Sequence, residues 1–388
     1  MERTIEIDLV EELRALKAKG QRFLDESPAV SPVSHYTSQS RFDREREMIF
    51  LRHPHAAVHA SELGEPGSFV RKDVHGLPVL ITRDKQGEVH AFLNVCRHRG
   101  AQLVSQESGC QQRFSCPYHA WTYASDGRLL AAPHFAEGFP GLEKSQLGLT
   151  ELPSREAFGF VWVVPTPGLD AALDGHLKEL AEEFDALELA SHRIASEDTI
   201  TCAANWKILV EGGIEAYHFK VAHRDTIGPF FEDNLSSYQS YGDHMRSVLP
   251  RASMEAFDTI PQDDWRLRDH ANVLYTFFPT NQLLVQQDHV IWISSQPKGP
   301  NETQLRLVTL VPGNGPAAEG KDDAYWQRNH TITMTTLIED FDIGEGIQSG
   351  LASGANQRLH FGRFEGALAA FNHSVDAHCS GSYGDRTT

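Results

Sequence analysis

NVCRHRGAQLVSQESGCQQRFSCPYHAW, residues 94–121, is the stretch from which the fold of this chain is read. It holds Cys96-x-His98, then seventeen residues, then Cys116-x-x-His119. Two thiolates and two imidazoles in two short pairs make a four-ligand metal set. That donor mixture suits zinc or an iron–sulfur cluster. Zinc sites usually pair cysteine with cysteine and histidine with histidine, whereas each pair here mixes the two types. In a Rieske [2Fe–2S] centre two histidines replace two cysteines on one iron. One Cys and one His from each of two loops would then supply one ligand apiece to each iron. A zinc-binding interaction module is the competing reading, and iron and labile-sulfide content separates the two.

The flanks place both pairs on hairpins. LPVLITRD and EVHAFLNV bracket a Lys85-Gln86-Gly87 turn and lead straight into Cys96. FSCPYHAWTYASDGRLL repeats the arrangement around an Asp126-Gly127 turn. Two such loops can clamp one cluster from both sides. Pro117 stiffens the second, and Trp121 is placed to shield the cluster or simply to fill the core.

CRHRG at 96–100, CPYHAWTY at 116–123 and DGRLL at 126–130 together resemble the Rieske domain of Rieske non-haem iron oxygenases, the ring-hydroxylating oxygenase alpha subunits. That resemblance implies a second iron site in the same chain. Residues 205–223, NWKILVEGGIEAYHFKVAH, carry Glu215-x-x-His218 and His223 five residues later. On a helix Glu215 and His218 share a face. His223 lies about 140° away, so a helix end or bulge is needed to bring it in. Two histidines near one carboxylate are weak evidence alone. The whole pattern, however, resembles the family's mononuclear iron motif.

The resemblance implies His218 and His223 as iron ligands. It implies Glu215 as the carboxylate joining this iron to a cluster histidine of a neighbouring subunit. Most members carry Asp there; Glu is the variant of the subgroup similar to carnitine oxygenases. A facial triad also needs a carboxylate. Spacing alone does not choose between Asp340 and Asp342 in LIEDFDIGEGIQ (337–348), and the resemblance favours Asp340.

Composition agrees with an enzyme of more than one domain. The chain has 388 residues, 40% hydrophobic and 23% charged. A net charge of −18 argues against nucleic acid. Five cysteines are too few and scattered for a disulfide framework, which points to a reducing cytoplasm. MERTIEIDLVEELRALKAKG has no apolar signal region, and no run is long enough to span a membrane. Ile5, Leu9, Leu13 and Leu16 instead predict an amphipathic surface helix ending near Gly20.

The chain divides into an N-terminal helical segment (1–44) packing on the catalytic domain, a Rieske β domain (45–165) and a catalytic mononuclear iron domain (166–388). A Pro/Gly linker and helix open the last of these. The fold class is α+β. NVLYTFFPT, QLLVQQDHVIWISSQ and TQLRLVTLV read as strands, and the resemblance implies a curved antiparallel sheet gripping a helix. Phe230, Phe231, Tyr275, Phe277 and Trp292 are candidates to line a pocket, each also an ordinary core aromatic. Residues 322–378 read as helices, and His176, His192, His360, His373 and His378 as non-ligands. The end, SGSYGDRTT, is expected to fray.

The resemblance implies the terminal oxygenase of a Rieske system. It would use dioxygen and electrons drawn indirectly from NAD(P)H to hydroxylate an aromatic substrate. The alternative, raised by Glu215, is a monooxygenase that N-dealkylates or cleaves a small quaternary amine. No strand–GxGxxG–helix unit is present, so a separate reductase is implied, with or without a ferredoxin. A homotrimer is implied because the family's bridge is made between subunits. A pure electron carrier leaves the C-terminal half unexplained. A di-iron carboxylate enzyme needs a second Glu-x-x-His helix.

Overall fold

The computed structural model describes residues 1–178, 181–313 and 318–381. The last seven residues of the tail expected to fray lie outside this set. The chain forms two compact units, Phe50–Lys178 on one hand and Met1–Ile49 with Glu179–Thr388 on the other. No described helix is long and apolar enough to cross a membrane.

The Phe50–Lys178 unit is built from short antiparallel strands. Its five-stranded sheet runs, edge to edge, 151–152, 89–93, 77–83, 68–74 and 108–110. The hairpin Leu77–Arg83/Val89–Leu93 turns where Asp84 Oδ1 accepts the amides of Gln86 and Glu88, at 2.8 and 2.9 Å. A three-stranded sheet, Arg113–Ser115, Thr122–Ala124 and Leu129–Ala131, carries the second loop. Its Asp126-Gly127 turn requires glycine twice over. Gly127 sits at φ +79°, and a Cβ there would lie 2.5 Å from the Phe92 ring. Phe69, Leu80, Phe92, Leu103, Phe114 and Trp121 form the apolar bed beneath both loops.

The other unit is organised by a seven-stranded antiparallel sheet. In order it runs 192–202, 302–312, 290–299, 281–285, 271–277, 244–250 and 237–241. The three apolar runs singled out in the sequence are four of these strands. The remaining three, among them HRIASEDTITC, alternate too weakly to be read as strands from sequence. Helix Trp206–Ile214 lies against the sheet, capped by Asn205, whose Oδ1 accepts Lys207 N–H at 3.1 Å. Leu209 of that helix packs with Ile291, Ile293, Leu305 and Leu307 of the sheet and with Phe341. Phe341 belongs to the 30-residue helix Asp323–Ala352. Helix Arg3–Ala18 forms as expected, burying Leu9, Val10 and Leu13.

Two expectations are corrected. The tail is not wholly helical: Arg358–Phe361, which contains His360, pairs as a strand with Ala29–Pro32. The helix bearing the iron motif ends at Ile214, so Glu215 and His218 do not meet on a helical face. Glu215 is extended, at φ −130° and ψ 162°, and His218 opens a separate turn, Phe219–Ala222, that His223 closes. The end of one helix and the start of another supply the offset that a regular helix could not.

Beneath the motif lies a charged layer. Lys207 and Glu45 form a fully buried pair at 2.6 Å, and Trp206 Nε1 donates to Glu45 at 2.9 Å. Glu211 accepts from Tyr36 Oη at 2.7 Å and from Asn372 Nδ2 at 2.8 Å. Burial pushes the Glu211 carboxyl up to about 7, against these hydrogen bonds and the nearby Lys207 charge.

Candidate metal centres and cavities

His218, His223 and Asp340 converge so that one ligand atom from each lies within 4.8 Å of the others. Nε2 of His223 is 2.8 Å from Asp340 Oδ1, and Nε2 of His218 is 3.4 Å from the same oxygen. Neither contact has hydrogen-bond geometry, and both Nε2 atoms are buried without a partner. Two imidazole lone pairs and a carboxylate oxygen aimed at one point suit a divalent cation. Asp342, the alternative carboxylate, is exposed two residues further along the helix.

The opposite nitrogens explain the aim. His218 Nδ1 is held by Glu215, whose other oxygen accepts the Tyr217 amide. His223 Nδ1 is held at 2.7 Å by Glu339, which also accepts from Thr226 Oγ1 at 2.7 Å. Each imidazole therefore has a carboxylate that fixes its orientation and tautomer. Burial lowers the His218 pKa, but Asp340 and Glu215 more than reverse this and raise it to about 10. His223 moves the same way, burial being outweighed by Asp340 and Glu339. The site demands positive charge, as protons or as a metal ion. Glu339 was not anticipated. Its only sequence signal was adjacency to Asp340, and reaching His223 from the next position on a helix is a tertiary accident.

Cys96, His98, Cys116 and His119 are brought together by two loops of the same design. Cys96 N–H donates to Ala101 O and Cys116 N–H to Trp121 O, both at 2.8 Å. Gly100 and Ala120 donate back to the two cysteine carbonyls at 3.0 Å. Both adopt left-handed backbone, φ +76° and +57°. Ala120 thus occupies a conformation that costs a residue with a Cβ, a feature its sequence did not betray. The two sulfurs are buried, and Nδ1 of both histidines is buried without a hydrogen bond. The His98 and His119 rings lie 4.6 Å apart. Trp121 stacks on His98 at 4.9 Å, so it both fills the core and covers the His98 ring. Burial pushes the Cys96 thiol up, so thiolate here needs a metal or other positive charge. Tyr123 was also unforeseen: its hydroxyl accepts Arg97 N–H at 3.0 Å and lies 3.4 Å from Cys96 Sγ. These donors fit a [2Fe–2S] cluster.

Two cavities meet the triad, and another adjoins one of them. A small apolar chamber of about 80 Å³ touches His223 and Asp340 and is walled by Phe219, Phe231 and Phe341. A wider cavity of about 390 Å³ shares Ile227, Phe231, Asn272, Leu284, Thr336 and Leu337 with it. A third, about 580 Å³, reaches Glu211, Glu215, His218 and Asp340. Of the aromatics proposed for a pocket, Phe230 and Phe231 line these cavities. Tyr275, Phe277 and Trp292 do not; they are core, with Tyr275 Oη donating to Glu183 and Trp292 Nε1 to Asn281.

Two family models match the chain: the Rieske [2Fe–2S] domain over residues 53–153 and the ring hydroxylating alpha subunit catalytic domain over 189–381. The carnitine monooxygenase oxygenase subunit of Acinetobacter pittii is 32% identical over 89% of this chain and 94% of its own length. The glycine betaine monooxygenase oxygenase subunit of Pseudomonas aeruginosa is 32% identical over 58% of this chain, and the match spans only 52% of that protein. A quaternary ammonium Rieske monooxygenase, solved in work on carnitine oxidation by gut microbiota and inter-subunit electron transfer, has the same fold. Its TM-score is 0.74 at 24% identity, covering 92% of this chain and 96% of that one.

Proposed function

Because the chain belongs to the ring-hydroxylating alpha-subunit family of Rieske oxygenases, we propose that it is the terminal oxygenase of a system that N-dealkylates a small quaternary amine. The observation that carries the oxygenase reading is the convergence of His218, His223 and Asp340 on one point beside an apolar chamber. In this reading those three residues hold ferrous iron, and Cys96, His98, Cys116 and His119 hold the Rieske cluster. Iron so ligated supplies dioxygen activation, and the cluster supplies single electrons.

The residues around the triad do the rest. Glu215 and Glu339 keep each Nε2 aimed inward. Phe219, Phe231 and Phe341 offer aromatic faces to a quaternary ammonium, which prefers them to aliphatic walls, and exclude water from the reacting carbon. The names of the two relatives support a quaternary amine over the aromatic ring first expected. Ring hydroxylation remains the second reading, since the same phenyl faces would stack on a ring.

We further propose that Glu215 carries the electron route to a cluster histidine of a neighbouring subunit, in a homotrimer served by a separate cytoplasmic reductase. The inter-subunit electron transfer named for the solved monooxygenase supports this, as do five cysteines free of disulfides. Chemically reduced protein given oxygen and a panel of quaternary amines and aromatic acids tests the function in a single turnover. Dealkylated amine with released aldehyde is the expected product. A diol or phenol would move the enzyme to the second reading. Zinc without labile sulfide would end both.

A further inference from the structure

We propose that Arg251 is an anion-binding group at the mouth of the substrate channel, so that the substrate carries a carboxylate at the end remote from the oxidised carbon. The inference rests on the channel reading of the proposed function and names its substrate more closely.

The wider cavity is lined by apolar side chains and by the neutral polar groups Ser253, Asn272, Gln286, Thr333 and Thr336. Arg251 is the one charged residue among the described residues that line it. In a chain of net charge −18, a mouth whose sole charge is positive selects for an anion. Arg251 is half-buried, and among the described residues no carboxylate lies within ion-pair distance of it. Its one side-chain hydrogen bond runs from Nη2 to Asn272 Oδ1, at 2.6 Å. Burial pulls the guanidinium below its usual value, Asp288 and Asp269 acting in the opposite sense from a distance. An arginine still protonated, partly desolvated and without a counter-ion gains most from a bound carboxylate, which it can grip through two parallel N–H bonds.

Asn272 ties this group to the chemistry. It is buried, it fixes the guanidinium, and it also lines the inner chamber that touches His223 and Asp340. Phe231 makes the same link: it walls both cavities and its backbone bridges to that of Arg251. One molecule with an apolar or quaternary-ammonium head and a carboxylate tail therefore meets phenyl faces at the triad and a guanidinium at the mouth. Betaines, which join a quaternary nitrogen to a carboxylate, have this form.

Calorimetric titration of the anaerobic holoenzyme with carnitine, γ-butyrobetaine, glycine betaine and benzoate, each beside its methyl ester, tests the proposal. The esters keep the head and delete the charge. At least one acid is expected to bind about ten- to a hundredfold more tightly than its ester. Arg251→Gln should erase that preference by weakening the acid and leaving the ester alone, and Arg251→Lys should restore part of it. An unchanged cluster absorption spectrum and melting temperature establish that the variants fold. Equal binding of acid and ester, equal weakening of both in Arg251→Gln, or no binding by any of the acids overturns the anchor. The two readings fail separately. Acid preference in a protein that dealkylates none of the amines removes the amine substrate and keeps Arg251, whereas dealkylation with no acid preference does the reverse.

Discussion

The two candidate metal sites are built on opposite plans. The Cys96–His119 site is written in one stretch of 24 residues, on two hairpin loops with matching backbone hydrogen bonds, over an apolar bed. The triad joins residues 218 and 223 to residue 340, from segments separated in sequence by most of the sheet, over a layer of buried charges. The outer faces of the imidazoles differ as well. Those of the triad are clamped by Glu215 and Glu339, while His98 and His119 are half-exposed, with no carboxylate on either ring among the described residues. A local site draws its order from backbone geometry. A dispersed one needs side chains to aim its ligands.

Removing a triad ligand draws the sharpest contrast. His223→Ala should abolish turnover, by at least about a thousandfold, and lose about one iron in three, while the reduced-cluster electron paramagnetic resonance signal stays intact. Loss of that signal together with the iron would mean that the two sites do not fold independently.

The clamps come next. Glu215→Gln should keep both centres loaded and slow cluster-to-iron electron transfer about a hundredfold in stopped-flow single turnover. Unchanged transfer removes Glu215 from that route. Glu339→Gln should weaken metal retention about tenfold, since it only orients His223. Equal effects of the two on electron transfer would reduce both to orienting groups.

The buried charge layer makes a pH-dependent prediction. Glu211 has a folded pKa of about 7 against an unfolded value near 4.5. Because burial raises an acid, the unfolded chain releases its proton first, and folding stability is lost as pH rises from about 4.5 through 7. Glu211→Gln should therefore gain on the wild type over that window, by up to about 3 kcal/mol in denaturant titrations. A constant difference between pH 5 and 8 would show that Glu211 is ionised throughout.

Tyr123→Phe is the smallest test and belongs to the local site. Deleting the hydroxyl beside Cys96 Sγ should lower the cluster midpoint potential by an amount on the order of tens of millivolts, because a hydrogen bond favours the more negative reduced state. A rise in protein-film voltammetry would contradict the assigned donor direction.

The same contrast governs what the sequence discloses. Cys96, His98, Cys116 and His119 are legible because ligand spacing, turn residues and strand alternation all sit within one window. Asp340 needed a resemblance to be preferred to Asp342; the structure places Asp340 beside the two histidines and leaves Asp342 exposed, a placement that comes from tertiary packing. Glu339 and Arg251 were illegible, since each matters only through partners, His223 and Asn272, that are distant or neutral in sequence. The helix break at Ile214 was foreseen only as a need of His223. Weakly alternating strands such as His192–Cys202 take their structure from neighbours, here the Glu302–Pro312 strand, and so escape a local reading.

The helix Asp323–Ala352 carries Thr336 and Leu337 on the channel wall four and three residues before Asp340, one helical turn away. On the proposed function, substrate range and metal retention are thus spaced along a single rod. On that same reading, side-chain replacements at 336 and 337 can drift toward new substrates while Asp340, one turn on, keeps its place beside His218 and His223, which makes this helix a natural place for the enzyme to diversify. A one-residue deletion between them would rotate the halves by about 100° and forfeit both properties together. Along this segment evolution is free to substitute and barred from changing length.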